Sequence, residues 1–420
     1  LIDAITGGHL WAERYDRNYT DIFELQDEVI GKIVSALTVK LTGTEQAQFA
    51  RRRTDNLEAY DYYLRAERGV YSEDYSLFID TLSLYEKAIA LDPNFADAHA
   101  GYARAVVDVW RLSYDSVLAG PVARKRAYEA AARALSLDAN IPRAYSVLGV
   151  LQVVDGRYAE ALESARKAVS LGPNSADAYI NLAIVLMFSG RPAEALAAME
   201  TALRLNPKPF TGVYAYYGAV LFMNRQYEKA IEPLEKARES SYFALEYLAG
   251  SYAQLGRVDG AKIAIDSLLK VYPNMCLAFY RVYYAHHKRE ADRAHLLDAL
   301  RKAGLPEWPY GYEGRAEDSL NGIALKTLSL GRTWVGQTSA GLQFVQEIGA
   351  DGKAAYRSTQ SLITGNASVK GDMLCLKSAY VLMDRKRCGY VYRNPGGTLE
   401  ENNAYVYVSP IDLMYFSPVR

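Results

Sequence analysis

Residues 142–173 read PRAYSVLGVLQVVDGRYAEALESARKAVSLGP. Two apolar stripes of helical period lie on either side of Asp155-Gly156, with Pro142 at the front and Pro173 at the back. Proline fits the first turn of a helix and cannot continue one, and glycine tolerates the positive φ at which helices stop. The stretch therefore predicts a hairpin of two helices. In the second of them Ala161, Ala165 and Ala168 recur at spacings of four and three, a stripe of small side chains that lets a neighbouring helix come close.

The hairpin repeats. Pro173 and Pro207 are 34 residues apart, and small residues at Gly69, Gly149, Ala183, Gly218 and Ala249 are each followed 12 positions later by Thr81, Ala161, Ala195, Ala230 and Ala261. Gly156, Gly190 and Gly256 stand seven positions after the small residue, where the turn between helices falls. Second-helix stripes recur as Ala195, Met199, Ala202 and as Ala230, Leu234, Ala237, and units close at Pro93, Pro173, Pro207 and Pro273. Tyr145, Leu148, Gly149, Ala161, Ala165, Ala168 and Pro173 together resemble the tetratricopeptide repeat. The resemblance implies a mainly α fold, a right-handed solenoid of about six hairpins between residues 55 and 304. The unit with Tyr102 and Ala103 departs from it, because its stripe Ala127, Ala131, Ala134 arrives 12 residues late. An insertion between its helices, residues 110–122, accounts for the delay.

Ahead of the repeats, residues 1–4 read as the end of a strand, Thr6-Gly7-Gly8 as a turn, and residues 21–41 as an amphipathic helix capped by Thr20. Leu1-Ile2-Asp3-Ala4, His9-Leu10-Trp11-Ala12-Glu13-Arg14-Tyr15-Asp16-Arg17, Asp21-Ile22-Phe23 and Leu25-Gln26-Asp27-Glu28-Val29 resemble the end of an α/β module of bacterial signalling proteins. In that setting the module and its repeats follow a class III adenylate or guanylate cyclase domain. Asn56-Leu57-Glu58-Ala59-Tyr60-Asp61-Tyr62-Tyr63-Leu64-Arg65 resembles the lead-in to the repeats of the same cyclases. Other members carry a winged-helix DNA-binding domain instead, and a free-standing adaptor whose β domain binds a ligand is the further alternative. The chain starts without methionine and in mid-strand, so upstream sequence is expected, and the compartment depends on it.

After Gly304 the alanine stripes give way to Trp308-Pro309-Tyr310-Gly311-Tyr312 and short apolar stretches between glycine turns. Candidate strands cover 333–337, 342–348, 354–358, 389–393 and 404–408, with turns at Ala350-Asp351-Gly352 and Asn394-Pro395-Gly396-Gly397. They predict a small antiparallel sheet or barrel. The Gly-x-x-Trp-x-Gly opening at residues 331–336 and two late cysteines resemble a family of small bacterial β domains. The expected division is thus residues 1–54 for the α/β end and linker, 55–304 for the repeats and 305–420 for the β domain.

Composition narrows the function. With 48 basic against 49 acidic residues the chain has no electrostatic footprint for nucleic acid, and no apolar run reaches the length of a membrane span. Cys276, Cys375 and Cys388 lack metal-ligand spacing. Cys375 and Cys388, 13 positions apart across a strand-turn-strand, are read either as a bridge in an oxidising compartment or as two buried thiols. His287 and His295 are eight residues apart, about 12 Å along a helix, too far to share a metal. Glu160 and Glu163, or Glu232 and Glu235, sit where pairing with Arg166 or Lys236 is ordinary. With no phosphate loop, nucleophile elbow or catalytic cysteine motif, neither catalysis nor a cofactor is expected.

Recognition remains. The first helices of a tetratricopeptide array line its concave groove, here through Ile180, Ile184, Met187, Phe188, Ala215, Ala219, Phe222, Met223 and Glu246. An apolar, aromatic groove suits a helix or extended apolar segment of a protein partner. Equally, these side chains pack between helices or against a carboxy-terminal domain folded back on them. The cyclase resemblance implies a regulatory region acting through docking or through homodimerisation of its parent protein.

Overall fold

The structure is a computed structural model that describes residues 2, 7–15, 22–36, 53–70, 75–111, 120–239, 241–359, 361–378, 386–395 and 403–419. The expected cap at Thr20, strand end at residues 3–4, inserted residues 112–119 and Gly396-Gly397 turn lie outside them. Near the start, Ile2 bridges His9 and Gly7 takes a positive φ of 70°. Helix α1 follows at Ile22–Ala36.

Six hairpins succeed one another among the described residues. They pair α2 (Leu57–Val70) with α3 (Tyr75–Leu91), α4 (Ala96–Arg111) with α5 (Gly120–Leu137), and α6 (Pro142–Val154) with α7 (Tyr158–Leu171). Then come α8 (Ala176–Phe188) with α9 (Pro192–Leu205), α10 (Thr211–Met223) with α11 (Tyr227–Ala237), and α12 (Tyr242–Gln254) with α13 (Val258–Val271). Pro142 and Pro192 open their helices, where no backbone N–H is missed. The Ser175 hydroxyl accepts the Ala178 N–H at the start of α8.

One turn recurs at the same place in four hairpins. Arg157, Arg191, Gln226 and Arg257 each donate their N–H to a carbonyl five residues back, at Gln152, Leu186, Leu221 and Tyr252, over 2.9–3.0 Å. This closure needs a left-handed residue just before the donor. Gly156, Gly190 and Gly256 supply it at φ of 78°, 76° and 72°, but in the hairpin of α10 and α11 the residue is Arg225 at 62°. Asn224 braces that turn, its amide donating to the Pro192 and Val220 carbonyls.

The stripes meet as their spacing requires. Thr81, Ala161, Ala195, Ala230 and Ala261 are buried, and so are the small residues opposite them. A Cβ on Gly218 would lie 2.3 Å from the Leu234 Cγ, so only glycine lets α10 and α11 approach this closely. One apolar core runs from α6 to the end of the helical region, and a second, continuous with it at α6, fills α2 to α5.

After α13 the repeat breaks down. The short α14 (Leu277–Tyr283), a 3₁₀ turn at Tyr284–His286 and α15 (Glu290–Lys302) turn back across the array, α15 packing on α12. A connector follows, and α16 (Gly322–Ser329) leads into eight strands. These are β1 (Arg332–Thr338), β2 (Gln343–Ile348), β3 (Lys353–Ser358), β4 (Leu362–Lys370), β5 (Met373–Lys377), β6 (Arg387–Arg393), β7 (Tyr405–Val408) and β8 (Leu413–Val419). Each pairs antiparallel with the next, and β8 returns to β1 to close the barrel. Sequence reading gave no range for β4, β5 or β8, although it set Cys375 on a strand. Strand β4 alternates Ile363, Gly365, Ala367 and Val369 with Thr364, Asn366, Ser368 and Lys370, but its inward residues include Gly and Ala and give a weak apolar signal; β5 has an unbroken Leu374-Cys375-Leu376 run, and β8 contains Pro418.

Cys375 and Cys388 are register partners on β5 and β6, joined by a disulfide on the outer face. Cys276 is a buried free thiol that caps α14 by accepting the Phe279 N–H, and burial pushes its pKa up to about 12. The barrel and the connector before it meet the last helical elements with main-chain carbonyls as acceptors. The Asn274 amide donates to the Ile411 carbonyl at 3.2 Å, the Cys276 thiol faces the Pro410 carbonyl, and the Leu277 and Ala278 N–H groups donate to Pro306 and Glu307.

Two measurements check this description. Arg225→Gly should raise unfolding free energy by about 1 kcal/mol in urea, since it relieves a left-handed non-glycine residue. Alkylation of unreduced native protein should spare all three cysteines; after unfolding without reductant it should mark Cys276 alone, with Cys375 and Cys388 recovered as one linked pair.

Candidate functional site

Side chains that skip a helix reveal which face the first helices share. Arg143 at the start of α6 reaches Glu67 of α2, its Nη2 donating to Oε2 at 2.8 Å, and Arg104 of α4 approaches Asp177 of α8 at 3.6 Å. The second helices take no part in these pairs, so α2, α4, α6 and α8 line one inner surface. Its two halves differ in chemistry.

The amino-terminal half is polar. Glu67 accepts both nitrogens of Arg143 and the Tyr85 hydroxyl, the latter at 2.6 Å. Burial disfavours its charge, yet the adjacent Arg143 guanidinium and the Tyr85 hydroxyl hold its carboxyl below the ordinary range. The Arg104 Nε donates to Asp108 at 2.8 Å, and the Asn181 amide to the Asp177 carbonyl. Asp97, Arg143 and Asp177 are the second residues of α4, α6 and α8. Sequence reasoning passed over them although Arg143 and Asp177 lie one 34-residue period apart, because it read the groove through its apolar and aromatic positions.

The carboxy-terminal half is filled by the chain itself. Phe188 packs against His286 and His287 at ring separations of 4.5 and 4.9 Å, and its carbonyl accepts the Lys288 N–H. The Tyr158 hydroxyl donates to the His286 carbonyl. Phe222 is enclosed by Tyr227, Tyr247 and His295, and His295 is within hydrogen-bond distance of the Tyr227 hydroxyl at 3.2 Å. Leu296, Leu297, Ala299 and Leu300 of α15 are buried over α12.

The open apolar groove expected from sequence is therefore corrected. Ile184, Met187, Phe188, Ala215, Ala219, Phe222, Met223 and Glu246 are all buried, and Ile180 is half-buried against the same core. Some pack between helices, and the others are covered by residues 284–302. Apolar surface of this size is removed from water by the nearest apolar element, and α14 and α15 are tethered next to it. The histidines serve packing, and among the described residues no group of His, Cys, Asp or Glu side chains is placed to hold a metal.

Glu246 lies in the seam between groove and closing segment. It is fully buried, accepts the Tyr284 hydroxyl through Oε1, and leaves Oε2 without a partner. Burial raises its pKa to about 8, against the Tyr284 and Tyr280 hydroxyls, which favour the carboxylate. The Tyr247 and Tyr280 hydroxyls and both ring nitrogens of His287 are likewise buried without a well-formed hydrogen bond in or beside this seam, and Oδ2 of Asp292 has the Arg289 guanidinium 3.7 Å away as its ion-pair partner. Burial, with the charge of Arg293, pushes His287 down to about 3, so its ring is neutral.

Because the folded protein holds a proton on Glu246 that the unfolded chain releases near pH 4.5, this residue's stabilising contribution is complete below that pH. It is lost as pH rises through about 8. Glu246→Gln should flatten the fall in stability across this window and be the more stable protein at pH 9, by on the order of 3 kcal/mol. Urea titrations of both proteins at pH 5, 7 and 9 check it.

Tetratricopeptide repeat family models match residues 124–176, 153–215 and 243–274. A Rhizobium meliloti (strain 1021) protein named "Putative adenylate cyclase 3" is 42% identical over 100 residues, which are 24% of this chain and 17% of that protein. The chain thus spans about a sixth of that relative's length. Among solved structures, YrrB, described as a TPR protein with an unusual peptide-binding site, is 23% identical with a TM-score of 0.30, over 45% of this chain and 92% of its own. PilF of Pseudomonas aeruginosa is 24% identical with a TM-score of 0.35, over 51% and 93%. Residues 124–215 and 243–274 are tetratricopeptide repeats, and the chain is a mainly helical tetratricopeptide solenoid ending in an antiparallel barrel.

Proposed function

We propose that this chain is the non-catalytic regulatory region of a class III nucleotide cyclase-type signalling protein, and that it takes a protein partner on the polar half of its concave face. The observation that carries the first part is the 42% identity to a protein named as an adenylate cyclase, joined to the cyclase-like wording of residues 1–65. The second part rests on the division of the groove. Its apolar half is occupied by residues 284–302, whereas Arg104, Asp108, Arg143 and Asp177 remain partly exposed on four turns of neighbouring helices. A peptide carrying charges of both signs fits such a row, since each arginine there already shares a carboxylate that a partner's carboxylate can replace. Partner binding would act on the output domain by a change in docking or in dimerisation.

The test is expression of the whole reading frame that encodes this chain, followed by assay of cyclic AMP and cyclic GMP formation. Cyclase activity is expected. A binding partner identified with the wild-type protein should change the rate about fivefold or more. Arg104→Ala should abolish that response while leaving the basal rate and the helical circular dichroism unchanged. No cyclic nucleotide from ATP or GTP, with specific DNA binding in its place, would move the chain to the sensory half of a winged-helix regulator. A response indifferent to Arg104→Ala would remove the groove assignment alone.

A further inference from the structure

Residues 286–289, His286-His287-Lys288-Arg289, cross the apolar half of the groove as a strap between the 3₁₀ turn and α15. The strap is extended, with φ −65° and ψ 123° at His287 and φ −97° and ψ 120° at Arg289. In such a chain the carbonyl of one residue and the N–H of the next but one point to the same side. The array meets both. The Tyr158 hydroxyl at the start of α7 donates to the His286 carbonyl at 3.0 Å, and the Phe188 carbonyl at the end of α8 accepts the Lys288 N–H at 2.9 Å. One residue further on, the Gly190 carbonyl accepts from Arg289 Nη1 at 3.5 Å, and the Arg289 stem lies against Gly190 where no Cβ would fit.

An extended peptide is bound in this manner, with main-chain groups held at a fixed spacing and one or two seats selecting side chains. Both seats are visible here. His287 is 6% exposed and sets its ring edge-on to Phe188 at 4.9 Å, and the Lys288 ammonium stands 5.6 Å from the centre of the Tyr158 ring. The strap fills the first seat poorly. Neither nitrogen of His287 has a hydrogen bond, and the buried Ser189 hydroxyl next to Phe188 has none either. A phenyl ring in that seat would cover Phe188 equally well and leave no polar atom of its own unpaired. Ala285, Lys288, Arg289 and Glu290 are exposed, so the two histidines are the only side chains of residues 285–290 that the strap buries. Permanent cover for Phe188 calls for an apolar residue at position 287, whereas an imidazole on a chain clamped by its backbone suits an occupant that can be exchanged.

We propose that the strap is a replaceable occupant of a peptide site, and that the clamp of Tyr158, Phe188 and Gly190 takes an extended segment of a protein partner in which phenylalanine is followed by lysine or arginine. The inference rests on the reading of this chain as a receptor for a protein partner, and it adds a second seat to the polar row. Because the strap is tethered, it competes at an effective concentration of about millimolar, and a partner must bring the better side chain to displace it. Displacement frees the link between α14 and α15. Asn274 and Cys276, at the start of α14, carry the contacts to the Ile411 and Pro410 carbonyls, so the exchange reaches the mounting of the barrel.

The probe is a synthetic peptide of residues 284–291 carrying His287→Phe, labelled at its amino end and titrated into the full chain by fluorescence anisotropy. Lys288→Pro in the chain suits the extended strap but removes the N–H that Phe188 accepts, and should strengthen peptide binding about tenfold or more over wild type. His287→Phe in the chain improves the strap and should weaken peptide binding about tenfold, and the peptide that keeps His287 should bind about tenfold more weakly than the phenylalanine form. Hydrogen exchange supplies an independent reading: the Lys288 amide should exchange about tenfold more slowly in His287→Phe than in wild type, and faster in wild type when the peptide is added. No peptide binding to folded Lys288→Pro protein overturns the proposal, and so does binding of equal strength to all three chains. An exchange rate at Lys288 that His287→Phe leaves unchanged overturns it even where Lys288→Pro does not fold. Arg104→Ala should leave every one of these values as in wild type, which separates a failure here from a failure of the polar row.

Discussion

Everything in the helical part depends on how closely two helices of a hairpin can approach. The approach is set by a small residue on the first helix opposite an alanine stripe on the second, and it is locked by a turn with one left-handed residue. Where Gly218 faces Leu234, no room for even a methyl group is left. Given that distance, the hairpin's two stripes bury each other on one side and must find another hairpin on the other. A repeat of this kind has no stable edge, and the array has to be finished by something different.

The finishing element is where sequence and structure part. The spacing of small residues, the turn glycines and the closing prolines made the hairpins legible, because each has a steric meaning that survives without context. The groove residues did not share that property. Met187, Phe188 and Phe222 are large and apolar whether they greet a partner or disappear into a core, and nothing local tells the two apart. Deciding between them required the path of residues 277–302, which carry no repeat consensus. The charged row fared differently. Arg143 and Asp177 follow the period and were readable, but their meaning came only when Glu67 and Arg104 appeared beside them. In the barrel, Trp334 and the glycine turns announced strands, whereas β4 hid behind small and polar residues that a closed sheet tolerates on its outer wall.

The seam around Glu246 shows what a fold-back of this kind leaves behind. A surface evolved as an inner wall and a segment laid over it satisfy their apolar groups together, since burial is non-directional. Hydrogen bonds are not so forgiving. Glu246, Tyr247, Tyr280 and His287 each keep a buried polar atom without a well-formed hydrogen bond, an unusual concentration for so small a region. A partly satisfied polar cluster lowers the stability of the packing that creates it, here that of α12 against α14 and the 3₁₀ turn after it.

The junction with the barrel has a consequence of another kind. Its hydrogen bonds end on main-chain carbonyls: those of Pro410, Ile411, Pro306 and Glu307 accept from residues around the start of α14, and that of Pro273 accepts the Tyr310 N–H. Backbone acceptors are present whatever side chains the positions carry. The relative placement of the two parts can therefore be inherited while their surfaces diverge, so that one mounting can carry barrels with differently lined mouths on the same array.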